Sequence, residues 1–224
     1  RAVYTFLPVC EKVLLNMRIT IVSDVCYPTV CDGVASILTN LVRELNAKGH
    51  QIQLIAPEGS FMEGVELVCL RAVPVAKTDN QVMPFFSPRM FLQIRKFNPE
   101  FILFLDPRFL AIQSIFLFRL FFGKRKLLAT FHTDNFQYLK ILFGVPYFFS
   151  KWLHRIVFGN FSRIISVSDY CKNLLVQAGL KNCDGIWSGG LDTQLFHPEK
   201  RSESVRQSLL QTGEHTLSLH VGRL

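Results

Sequence analysis

Carboxylates are scarce in this 224-residue sequence: 17 Asp and Glu stand against 25 Lys and Arg, a formal net charge of +8 with a pI near 9.3. The surface should therefore attract anions, whether nucleic acid, anionic lipid headgroups or the phosphates of a nucleotide. Long apolar runs are missing too. The longest covers fourteen residues, 109–122, and is interrupted by Arg119, whereas crossing a bilayer takes roughly twenty. The six cysteines, Cys10, Cys26, Cys31, Cys69, Cys171 and Cys183, form no Cys-x-x-Cys pair, so neither a zinc ribbon nor a thioredoxin-type site is suggested, and buried reduced thiols are expected. No Gly-x-Gly-x-x-Gly follows a strand, which disfavours a dinucleotide fold. There is no repeat, no low-complexity tract and no nucleic-acid reading motif, and the charge is scattered, so nucleic acid is not an expected partner. "VYTFLPV" lacks the length and flanks of a secretory signal, and residues 1–16 read as an extension of unknown structure.

Strand-like apolar runs alternate with helical patterns, the mark of parallel βαβ units and an α/β fold. "RITIVS" (18–23), "QIQLIAP" (51–57), "GVELVCL" (64–70), "FILFL" (101–105), "KLLATF" (126–131) and "RIISVS" (163–168) are the predicted strands. Apolar positions 34, 37, 38, 41, 42 and 45 predict an amphipathic helix ending at Gly49 in a left-handed cap. Pro74, Pro84 and Pro88 punctuate a predicted long loop before the helix "PRMFLQIRKF". The segment 108–122, apolar nearly all round, is expected to be a helix buried on the sheet, and a longer helix over 145–159 is expected to show a basic face of Lys151, His154 and Arg155. Ser168 and Asp169 cap a helix stopping at Gly179. A polar helix near 202–210 and a strand, "LSLHVGR", finish the chain, which reads as one domain over 17–215 and the first strand of a second over 216–224.

Several residues at strand and helix ends could carry chemistry. Gly33 opens a helix after the first strand, where a bare backbone and the helix amides favour an anion; it equally suits an ordinary turn. His132 follows a strand in "ATFHTD", at the edge where parallel strands converge on a ligand crevice; it could donate to a sugar hydroxyl or phosphate, or be a capping histidine. Asp106, in "FLDPRF", also follows a strand, though Asp-Pro is a turn signal. Thr133, Ser168 and Gly190 are further crevice or acceptor candidates, the last in "SGGLDTQLFHP", which also reads as a tight turn. Arg223, in "HVGR", could clamp a diphosphate or be exposed.

The order of "YPTVCDGVASILTNLVRELNAKGHQIQLIAP", "FHTD", "IISVSDYCKNLL", "SGGLDTQLFHP" and "LHVGRL" resembles the amino-terminal half of a retaining glycosyltransferase of family four, over about residues 17–224. Within that family it is most similar to sulfolipid synthase and related lipid or mannosyl transferases. The resemblance implies a GT-B fold of two facing Rossmann-like domains, with this chain truncated at the start of the second. It implies sugar transfer from a UDP- or GDP-sugar to a lipid acceptor with retention, and no metal or cofactor, in keeping with the lack of an Asp-x-Asp pair. It makes Gly33 and Arg223 the contacts of the donor diphosphate and His132 the catalytic-site histidine. A lysine and a Glu-x7-Glu motif that complete such donor sites are not in the sequence, so little activity is expected of the chain alone. Asp32 departs from the family pattern: its charge beside Gly33 would repel a diphosphate unless it turns away.

The basic and aromatic helix 145–159, with Arg89, Arg95 and Lys96 near Phe91 and Phe97, suits docking on an anionic membrane; core packing of the same apolar stripe is the competing reading. A peripheral, cytoplasmic enzyme follows, or a plastid one if the sulfolipid branch holds. The other class open to the sequence is a non-enzymatic nucleotide- or anion-binding Rossmann-like domain.

Overall fold

The computed structural model describes residues 16–76, 78, 81–190, 193 and 196–210. The expected extension (apart from Asn16), the strand over 217–223 with Arg223, the boundary at 215/216 and Asp192 lie outside the described residues. The chain forms two compact units, Arg1–Gly189 and Gly190–Leu224.

The first unit is built on a seven-stranded parallel sheet: β1 (Arg18–Ser23), β2 (Gln51–Pro57), β3 (Glu66–Leu70), β6 (Phe101–Leu105), β7 (Leu127–Phe131), β8 (Arg163–Ser166) and β9 (Cys183–Ile186), in spatial order β3-β2-β1-β6-β7-β8-β9. The chain winds outward from β1 in one direction and from β6 in the other, so right-handed crossovers place the helices on opposite faces. Helix α1 (Gly33–Ala47) packs Val34, Leu38 and Val42 against Ile19, Ile21 and Leu54 on one face. On the other, α2 (Pro88–Phe97), α3 (Phe109–Phe122), α5 (Tyr147–Phe158) and α6 (Asp169–Gln177) cover Val22, Ile102, Phe104 and Phe131. Alternate residues of β1 enter the two cores, as a two-sided sheet requires.

Three expectations are corrected and one helix is added. The loop between Pro74 and Pro88 holds a short antiparallel ribbon, β4 (Ala72–Pro74) with β5 (Val82–Pro84), too brief and proline-bounded to show a period. The region before 145 contains a separate helix, α4 (Asn135–Phe143), capped by the Asp134 carboxylate and closed by Gly144 at φ +68°. Helix α3 is not fully buried: Phe116, Leu120 and Phe121 face outward. Cys31 and Cys69 are exposed, so the thiols are not all buried. In the second unit a 3-10 turn (Pro198–Lys200) precedes α7 (Glu203–Leu209), capped by Ser202 Oγ accepting from the Val205 amide.

Candidate functional site at the carboxyl edge of the sheet

Strands β1 and β6 are hydrogen-bonded neighbours whose outgoing connections run in opposite directions, and outside such a switch point the backbone opens a crevice. Each of the two strands delivers an aspartate there. Asp106, directly after β6, sits at φ +51° and is 2% exposed. Its Oδ2 accepts from Arg108 Nη2 at 2.7 Å, Arg108 Nε at 3.0 Å and Thr133 Oγ1 at 3.0 Å. Its Oδ1 accepts from the His132 amide at 3.0 Å, the Thr133 amide at 3.3 Å and Asn135 Nδ2 at 3.4 Å. Both oxygens are thus occupied by protein donors, and Asp106 fixes the start of the β7–α4 loop instead of facing a substrate. Burial pushes its carboxyl up, but the Arg108 guanidinium and the His132 amide outweigh burial and hold it below the usual carboxylate range.

Arg108, 7% exposed, extends this network. Nη1 donates to Gln81 Oε1 at 3.0 Å and Nη2 to Thr133 Oγ1 at 3.2 Å, while the guanidinium lies 5.2 Å from the Tyr138 ring centroid. Gln81 in turn donates to Asp32 Oδ2 at 3.4 Å. The ribbon that carries Gln81 is held in place because Val75 and Met83 pack on Phe109, Tyr138 and Leu139.

Asp32, at the head of α1, has protein partners for both carboxylate oxygens. Its Oδ1 caps α1 by accepting from the Ala35 amide at 2.8 Å, and Oδ2 takes the Gln81 bond. Gly33 stands exposed at the first position of α1; an added Cβ there would meet nothing within 4 Å. Neither φ nor crowding requires glycine, so the space in front of it is open to a ligand.

His132 shares the crevice edge with Trp187, the rings edge-to-face at 6.0 Å. Its Nε2 is buried and has no hydrogen-bond partner among the described residues, an arrangement that folded proteins rarely leave without a use. Burial, aided by Arg108 and opposed by Asp106, pulls its pKa below the ordinary histidine value, so the ring is neutral at physiological pH. Asp24, after β1, is the residue the sequence reading overlooked, although it follows its strand as Asp106 follows β6. It accepts the Leu110 amide at the start of α3, at 3.4 Å from each oxygen, and burial raises its pKa to about 6 against the pull of Arg108 and of the helix amides.

The first unit therefore gathers Gly33, Asp106, His132 and Thr133 at one edge. Thr133 is engaged at its hydroxyl both as donor and as acceptor. Ser168, one strand further along, caps α6 by accepting from the Cys171 amide at 3.2 Å. Gly190 belongs to the second unit, with φ +74°. Of the expected basic face of the 145–159 helix, His154 is buried and hydrogen-bonded through Nδ1 to Ser150 O at 2.8 Å, because it faces Phe136 and Phe158 in the core. Lys151 and Arg155 remain partly or fully exposed.

Comparison with known proteins bears on this geometry. Over 95% of its length the chain is 26% identical to a GDP-mannose-dependent alpha-mannosyltransferase of Corynebacterium glutamicum, and over 94% it is 24% identical to one of Mycobacterium tuberculosis. It spans 52% and 57% of those relatives, about half their length. In fold it is similar to sucrose-phosphate synthase from Thermosynechococcus elongatus (TM-score 0.59, 13% identity, 88% of this chain and 54% of that one). It is also similar to Anabaena HepE in complex with UDP and glucose (TM-score 0.54, 14% identity, 86% and 50%). These neighbours are GT-B glycosyltransferases, and the parallel sheet flanked by helices is the Rossmann-like half of that fold. The model of Glycosyltransferase Family 4 matches residues 31–195, from the cap of α1 through β9, and the chain belongs to that family.

Proposed function

We propose that the protein transfers a hexose from a nucleotide-diphosphate sugar to a lipid acceptor on an anionic membrane surface, with retention at the anomeric carbon. The observation that carries the transfer reading is the pairing of the exposed, uncrowded backbone at Gly33 with a neutral His132 whose Nε2 has no partner among the described residues. The exposed backbone of Gly33 and the dipole of α1 suit the donor diphosphate, beside an Asp32 carboxylate already held by the Ala35 amide and Gln81. A neutral imidazole held through its backbone by Asp106 suits orientation of the sugar or of its leaving group. Arg223 supplies a cation to the diphosphate, and neither a metal nor a further cofactor takes part. The relatives' names favour a GDP-hexose donor, and so the mannosyl branch of the resemblance over the sulfolipid branch.

The lipid acceptor is supported by the α4–α5 hairpin, which leaves Ile141, Phe143, Phe148 and Trp152 exposed, Ile141 at 73% and Phe148 at 76%. Lys140, Lys151 and Arg155 lie among them. Aromatic and aliphatic side chains beside cations are what an interfacial surface presents to anionic headgroups. Among the described residues no helix is long and apolar enough to cross a membrane, so the association proposed is peripheral.

The test is incubation with GDP-mannose labelled in the sugar and mixed lipid vesicles, followed by chloroform extraction and by NMR of the product anomer. Label in the organic phase with the donor's anomeric configuration is expected. Label confined to water-soluble glycan overturns the lipid acceptor, and an inverted anomer overturns retention. Vesicles rich in anionic lipid should capture the protein in low salt and release it in high salt; absent or salt-insensitive capture overturns the surface reading.

A further inference from the structure

Helices α2 and α3 lie side by side on the sheet and leave between them an outward groove of about 430 Å³. Phe91 forms its floor, with ring centroids 4.9 Å from Phe118, 5.2 Å from Phe121 and 5.5 Å from Phe86. Leu92, Leu117 and Phe122 complete walls that are almost entirely carbon. Phe121 and Leu92 are left exposed, Leu92 at 70%. Arg89 and Arg95, both exposed, border the groove, and among the described residues neither has a carboxylate partner. The scarcity of acid continues along the chain: α2 contains no Asp or Glu, and none occurs between Asp106 and Asp134 or between Asp134 and Asp169.

The chemistry of the groove selects its occupant. Carbon walls offer nothing to a sugar or a free phosphate, and helix walls whose backbone groups are already bonded internally would leave the main chain of an extended peptide unsatisfied. A purely neutral hydrocarbon would make no use of two unpaired arginines at the rim. A molecule with a long apolar tail and a phosphate head satisfies both features, since guanidinium groups bind phosphate oxygens in paired hydrogen bonds. We infer that the α2–α3 groove binds one acyl chain of an anionic phospholipid, with its phosphate held by Arg89 and Arg95. The inference rests on the membrane-surface reading above, but it concerns a different place from the α4–α5 ridge and a single lipid molecule. Such a site would grip one lipid of the bilayer and orient the crevice toward the surface where acceptors lie.

The test uses 1-palmitoyl lysophosphatidic acid kept below its critical micelle concentration, titrated calorimetrically, with the neutral monopalmitoylglycerol alongside. Saturable binding of the lysophosphatidic acid is expected, weakening about fourfold for each methylene removed from the chain. Leu117→Trp, which fills the groove, should lower affinity at least tenfold, whereas Leu120→Trp, on the exposed outer side of α3, should change it less than twofold. Arg89→Gln with Arg95→Gln should bring lysophosphatidic acid down to the affinity of the neutral lipid. Circular dichroism and melting temperature check that each variant is folded. The inference is overturned if no saturable binding occurs, if folded Leu117→Trp binds as well as the parent, or if glycerol 3-phosphate competes as well as the acylated molecule. A dimer that Leu117→Trp dissociates would also overturn it, by assigning the groove to a second copy. Vesicle capture without monomer binding rejects the groove and keeps the surface reading; monomer binding without vesicle capture does the reverse.

Discussion

Replacing Asp106 by Asn tests the central network most directly. In the native protein the Asp106 carboxylate and the Arg108 guanidinium are both nearly inaccessible and meet at 2.7 Å. Asparagine keeps the size of the side chain and one acceptor oxygen, but it removes the one carboxylate hydrogen-bonded to the buried cation, leaving it with neutral oxygens, the ring of Tyr138 and the more distant charges of Asp24 and Asp32. Breaking a buried pair in this way costs about 3–5 kcal/mol, and for a chain of this size each kcal/mol lowers the melting temperature by roughly 2–4 °C. A fall of roughly 6–20 °C is therefore expected at pH 7. The pH dependence gives a second signature. Because the folded carboxyl lies below its ordinary value, the unfolded chain binds the extra proton, so its stabilising contribution is present above the ordinary carboxylate pKa and is lost as pH falls through the lowered one. Wild-type and variant stabilities should converge in acid. Urea unfolding followed by tryptophan fluorescence, from pH 7 down to about pH 2, well below the ordinary carboxylate value, measures both effects. Asp106→Asn with Arg108→Met should recover part of the loss by removing the orphaned charge. A single variant within about 1 kcal/mol of wild type, or a double variant costing the sum of the two singles, would refute the reasoning.

Three further outcomes are expected. Asp24, raised to about 6 by burial, retains its proton in the folded state at pH values where the unfolded chain has lost it, so its contribution is full below about pH 4 and declines as pH rises through 6; Asp24→Asn should stabilise the protein at pH 7 by on the order of 3 kcal/mol and give no gain at pH 3.5, as thermal melts at the two pH values would show. Gly33→Ala should leave the melting temperature unchanged or slightly higher, because nothing lies within 4 Å of the added carbon, while the KM for the nucleotide sugar rises about tenfold, equivalent to ~1.4 kcal/mol; an unchanged KM places the diphosphate elsewhere. His132→Ala should lower kcat by about 10²–10³-fold if Nε2 acts on the sugar or leaving group, and the wild-type rate should stay flat through the ordinary histidine range and fall only at lower pH, where the imidazole protonates; an equal loss from Ser168→Ala would show that the effect is structural.

Patterns local to ten or fifteen residues were enough to read most of the elements. The apolar spacing from Val34 to Leu45, the unbroken strands 18–23 and 101–105, and the glycine after α1 at φ +83° each state their own period or breaker, so β1, α1, β2, α2, β6, β8 and α6 follow from local rules. Helix α4 and the β4–β5 ribbon escaped because nine- and three-residue elements give too little period, and Leu139 and Val75 are held by contacts with Phe109 far along the chain. His154 looked basic and outward by spacing; only the position of Phe136 and Phe158 turned it into the core.

The site divides in the same way. That Gly33, Asp106 and His132 end strands or begin helices was legible, because a parallel strand announces its carboxyl end in sequence. That Asp32 needed partners for its charge was legible; that they are the Ala35 amide and a glutamine 49 residues away was not. The order of the strands, which makes β1 and β6 neighbours and so brings Asp24, Asp106 and Arg108 into one buried network, has no local signal. Pairings between distant segments are decided by which buried surfaces and hydrogen bonds can be satisfied together. The sequence by itself determined the elements, the sign of the charge and the residues at the strand ends; the tertiary structure decided that Asp106 holds the loop of His132 instead of meeting a substrate, because its two oxygens can reach six protein donors only once β6, β7 and α3 share one edge.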